Sequence, residues 1–140
     1  MFKNRAKVLA LVAILFFTIS GVVACSYTAE QQYENFLADM DMITRFDLCI
    51  DKVEKGSASF YTEDELIVLQ ADIHSCHIDL QAARQANDHL INCADSLLAS
   101  IHADEEGSGR DANQHLETAL THYQEAKAII RLNNTESPNV

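Results

Sequence analysis

All six histidines of the chain fall between positions 74 and 122: His74, His77, His89, His102, His115 and His122. His74-Ser75-Cys76-His77 sets two imidazoles at i, i+3, which shares one face of a helix. Two imidazoles with a nearby oxygen or thiolate form a donor set for Zn²⁺, Cu or Ni²⁺. In a regular helix, however, Cys76 falls on the apolar seam while His74 and His77 point outward. The plainer reading is two surface histidines beside a buried cysteine. A second pairing follows if residues 105–109 form a turn. Cys93 then lies opposite His122, and Ser100 opposite His115. A thiol and an imidazole in reach can bind a metal, or the imidazole can lower the thiol pKa. Packing is the plainer role for Cys93. Met40 and Met42 would suit axial haem ligation together with the later histidines, but methionines on an apolar face are usually core. No cofactor is required by this sequence, and Zn, Cu or Ni are the ions its residues fit.

Enzyme signatures are missing. There is no Gly-x-Ser-x-Gly elbow, no phosphate-cradling glycine loop and no His-Glu-x-x-His. The Glu-x-x-His of di-iron bundles and the Cys-x-x-Cys-His of covalent haem are also absent. The many Asp and Glu pairs take outward helical positions and read as a solvated face. The expectation is a non-enzymatic protein.

Long helices must position these residues. Beyond position 25 the sequence has three glycines, Gly56, Gly107 and Gly109, and the single proline of the chain near its end, so there is little to punctuate a helix. Three capping-box patterns open segments at Thr28-Ala29-Glu30-Gln31, Thr62-Glu63-Asp64-Glu65 and, more weakly, Ser108-Gly109-Arg110-Asp111. Gly56 and Gly107 stand where helix-ending glycines belong. Leu66, Leu69, Ile73, Cys76, Leu80, Ala83, Asn87, Leu90, Ala94, Leu97 and Ile101 follow a 3-4 spacing without a slip, which keeps one seam against a partner. Asn87 is its polar member, a register-fixing residue. The first segment carries Tyr33, Phe36, Met40, Ile43, Phe46, Ile50 and Val53, with a register shift near Phe46. The third carries Ala112, Leu116, Ala119, Tyr123, Ala126 and Ile130. The spacing predicts an all-α, elongated antiparallel three-helix array with helices over about 28–55, 62–104 and 110–132, and a disordered tail at 133–140. The alternative is a four-helix bundle in which helix two breaks near 84–88.

That alternative bears on the thiols. Cys49, Cys76 and Cys93 are odd in number, so at least one is free, pairs between molecules or binds something. In one continuous helix Cys76 and Cys93 stand about 25 Å apart at 1.5 Å per residue, beyond disulfide reach. In a folded-back helix they would meet and could bridge.

The start of the chain indicates a compartment. Lys3, Arg5 and Lys7 precede an apolar run from Val8 to Val23, and a small residue then precedes Cys25, the order of a secretory signal. Val22-Val23-Ala24-Cys25 resembles the lipobox of bacterial lipoproteins, with Val22 where Leu is commoner. The resemblance covers the first 25 residues. It implies a signal peptide over 1–24 and a diacylglyceryl group on Cys25, which becomes an acylated, palmitate-bearing N-terminus. Ser26 in place of Asp implies outer-membrane export, with the domain facing the periplasm. Ordinary cleavage after Ala24 and an uncleaved anchor are the alternatives; the run is a little short of the ~20 apolar residues that span a bilayer. After Cys25, seven basic residues stand against 21 acidic ones, a net charge of −14. Such a surface repels nucleic acid and anionic headgroups alike. The expected contacts are therefore the membrane, through the N-terminal lipid, other envelope proteins, and a second copy in a homo-oligomer.

Overall fold

A computed structural model describes residues 27–136, with side-chain surroundings through residue 133. The proposed signal at 1–24, Cys25 and residues 137–140 lie outside the described residues. Among the described residues there are five helices and no strand: α1 (Ala29–Asp39), α2 (Met42–Glu54), α3 (Phe60–His74), α4 (Gln81–Glu105) and α5 (Gly109–Glu136). They pack as a bundle, and the all-α expectation holds.

Local chemistry sets the boundaries. The Thr28 hydroxyl accepts from the Gln31 N–H at 3.3 Å, and Gln31 Oε1 accepts from the Thr28 N–H at 3.0 Å. This closes the first capping box. The second sits earlier in the chain than its sequence pattern suggested. Ser59 caps α3, and Thr62 is its third residue, with Oγ1 accepting from the Ser59 N–H at 3.2 Å. α2 and α4 both end in left-handed glycines, Gly56 at φ 60° and Gly107 at φ 79°. The N–H groups of Ser57 and Ser108 reach back to Lys52 and Ala103 at 2.8 Å, satisfying carbonyls that each helix end leaves open.

Two of the three expected helices are divided. The 28–55 segment bends at Met40–Asp41, where Asp41 adopts φ 49°, a conformation that Asp tolerates better than most residues. The 62–104 helix is interrupted at 75–80, upstream of the 84–88 break considered from sequence; residues 84–88 lie inside α4. Neither glycine nor proline marks this interruption. Instead the Ser75 hydroxyl donates to the Asp72 carbonyl at 2.6 Å and His77 Nδ1 sits 2.5 Å from the Ser75 carbonyl. These local bonds compete with the helical ladder. The last helix runs to Glu136, so residues 133–136 are helical where a disordered tail was expected.

α4 and α5 form the principal hairpin, α2 touches both, and α3 packs on α2 and α4. Met42, Phe46, Leu66, Leu69, Leu90, Cys93, Leu97 and Ala126 are fully buried. Burying each of the larger apolar side chains contributes about 1.5–3 kcal/mol. Polar ties fix the layout. The Tyr33 hydroxyl donates to Asn87 Oδ1 at 2.8 Å, so the polar seam residue joins α1 to α4 within one chain. Tyr123 of α5 places its hydroxyl 2.8 Å from Asp47 Oδ1 and 3.1 Å from the Ile43 carbonyl on α2. Arg45 bonds Glu65 at 2.5 Å, Asp72 at 2.7 Å and the Met40 carbonyl at 3.2 Å.

Candidate functional site

The hairpin brings together a group of donors that the sequence pattern had placed apart. His89 lies on α4; His122 and Glu125 lie one turn apart on α5. The Nδ1 atoms of His89 and His122 are 3.2 Å apart. Glu125 Oε2 is 3.0 Å from His89 Nδ1 and 3.6 Å from His122 Nδ1. The two rings tilt at 40° with centroids 5.4 Å apart. Both histidines are about a third exposed or less and Glu125 about half. The cluster therefore opens to solvent on one side while its imidazoles rest against the hairpin.

Of the residues singled out from sequence, only His122 joins this group. His74 ends α3 and His77 sits in the 75–80 interruption, both exposed. The break removes the helical turn that would have paired them, and they form no shared donor set with a third ligand. Cys93 is fully buried among apolar side chains instead of facing His122. Burial pushes its thiol up to about 12, the opposite of activation by an imidazole. Met40 and Met42 belong to the core or pack against it. Cys49, Cys76 and Cys93 are free thiols, so the considered Cys76–Cys93 bridge is not formed. Although the chain does turn back after α3, Cys76 stays in the connection while Cys93 lies deep in α4.

The hairpin register explains the change of partner. A symmetric turn at 105–109 would align Cys93 with His122 and Ser100 with His115. The structure aligns His89 with His122 and sets the Ser100 hydroxyl on the Ala112 carbonyl at 2.8 Å. Both pairings are offset by about one helical turn, near 3.6 residues. Sequence reasoning missed His89 and Glu125. The available signal was His122-Tyr123-Gln124-Glu125, an i, i+3 pair in the order opposite to the Glu-x-x-His of di-iron bundles.

A second feature is apolar. α3 buries Thr62, Leu66, Leu69 and Ile73 on its inner face. Its opposite face carries Phe60, Tyr61, Asp64, Ile67, Val68 and Ala71, which fall within one arc at 100° per residue. Phe60 is 69% exposed, Tyr61 79%, Ile67 55% and Val68 47%. Carboxylates line both flanks. Glu65 and Asp72 lie on one side, held by Arg45; Glu63 lies on the other, 3.8 Å from His102 Nε2. No helix among the described residues is long and apolar enough to cross a membrane. Comparison with protein-family models, with curated proteins and with solved structures finds no match to this chain, so the functional reading rests on these two features.

Proposed function

We propose that the protein is a lipid-anchored helical component of the bacterial envelope that acts by binding another protein and performs no catalysis. Anchoring runs through Cys25, with the domain facing the periplasm from the outer membrane. The outer face of α3 is the observation that carries the reading. A helix apolar on both sides has one face for its own core and one for a partner. Asp64 on that face and the acidic surface of the chain define that partner: an apolar helix or strand bordered by Lys or Arg, which they attract and orient.

The test is site-specific photo-cross-linking in envelope preparations of the full chain. Probes at Phe60 and Ile67 are expected to give one discrete adduct. A probe at Arg84, on the exposed start of α4, is expected to give none. The adduct should vanish in Ile67→Asp and weaken with salt. Equal labelling from all three positions would overturn the reading. Adducts with lipid would move the face to the bilayer, and adducts with a second copy would make it a self-association surface; either would overturn the heterologous partner. Separately, metabolic labelling with a tagged fatty acid is expected to mark the unaltered chain and not Cys25→Ala, and absence of label on the unaltered chain would remove the lipid anchor.

A further inference from the structure

We propose that His89, His122 and Glu125 form a binding site for one divalent transition-metal ion of the Zn²⁺ or Cu²⁺ kind, clamping α4 to α5. The geometry is the argument. An ion bound tetrahedrally at 2.0–2.1 Å from its ligands sets those donors about 3.3–3.4 Å apart. The three separations here are 3.2, 3.0 and 3.6 Å, and they converge from two helices onto one point. Both imidazoles present the same atom, Nδ1, to that point.

The donor types select the ion. Two imidazoles with one carboxylate suit Zn²⁺, Cu²⁺ or Ni²⁺, whereas Ca²⁺ and Mg²⁺ require mostly oxygen ligands. Three protein donors leave a fourth position for water or an outside ligand. The buried thiols take no part, because Cys49 and Cys93 sit in the core and neither is among the donors that converge on this point. The acidic surface raises the local concentration of cations around the site. A ligating imidazole must be neutral and a ligating carboxylate ionised, so metal uptake at such a donor set competes with protons.

The experiment uses the full chain in mild detergent, stripped with a chelator and titrated with Zn²⁺, with Cu²⁺ as a spectroscopic probe. One Zn²⁺ per chain is expected, and the Cu²⁺ spectrum should carry hyperfine coupling from two nitrogens. His89→Gln and Glu125→Gln should each weaken binding by about 10–100-fold or more. The double variant His74→Gln/His77→Gln should bind as the unaltered chain does. Absence of saturable uptake, uptake unchanged in His89→Gln, or uptake lost only in the His74/His77 variant would overturn the proposal. A second measurement needs no substitution. Zn²⁺ should protect His89 and His122 of the unaltered chain from histidine acylation, read by mass spectrometry, while His74 and His115 stay reactive. Equal modification of all four with and without Zn²⁺ would overturn it independently.

Discussion

α4 and α3 are both rich in apolar residues, yet they use them differently. α4 turns its apolar residues inward along its whole length, from Ala83 to Ile101, against α5 and the helices beside it. α3 distributes them around its axis, with Leu66 and Leu69 in the core and Ile67 and Val68 in solvent. Hydrophobic content alone does not separate a structural helix from a contact helix; the angular distribution does. α4 holds the fold, and α3 has apolar area to spare.

Three changes would break or sharpen this contrast. Alkaline pH has the largest expected effect, because it attacks the core that α4 organises. Burial raises the pKa of Cys49 and Cys93 above an ordinary 9.0, and those of Tyr33 and Tyr123 above 10.0. The Asp47 carboxylate adds to the rise at Tyr123. These groups keep their protons in the folded chain and lose them first when unfolded. Their contribution is therefore whole below about pH 9 and declines as pH climbs toward the folded values. Each titrating group costs about 1.4 kcal/mol per pH unit within its window. Denaturant midpoints should hold up to about pH 8.5 and fall steeply between 9 and 12. A flat profile to pH 11 would mean that these side chains are not buried as described.

Leu97→Ala comes next. Leu97 is fully buried, and the cavity left by such a truncation costs about 2–5 kcal/mol. Urea unfolding should show the loss, and a cost below 1 kcal/mol would contradict the packing of the hairpin. Ile67→Ser has the smallest expected effect on folding, within about 0.5 kcal/mol. It should instead reduce binding of a hydrophobic dye. A large loss of stability would show that the outer face of α3 belongs to the fold and not to a partner.

The capping residues at Thr28, the glycine stops at Gly56 and Gly107 and the seam of α5 were all legible in the sequence, because each depends on a few neighbouring residues. The interruption at 75–80 was not. Cys76, Ile78 and Leu80 continue to pack against the core while out of the helix, so the 3-4 rhythm passes through the loop unbroken. Periodicity records which residues are buried, and here burial outlasts helicity. The histidine cluster was hidden for a different reason. It depends on the alignment of two helix arms, and counting outward from the turn was wrong by one helical turn. His89 also lies beside the seam and not on it, so no pattern of apolar residues points to it.

The Tyr33–Asn87 bond has a mechanical consequence. A chain held at its N-terminal end transmits tension into α1 before any other described element. α1 is short, and its hydroxyl tie to α4 crosses 54 positions of sequence at 2.8 Å. Tension applied ahead of Thr28 would load that tie and the Arg45 grip on the Met40 carbonyl before it reached the α4–α5 hairpin. Replacing Asn87 with leucine would remove the latch while sparing the hairpin, leaving α1 to peel away under load as a compliant lead.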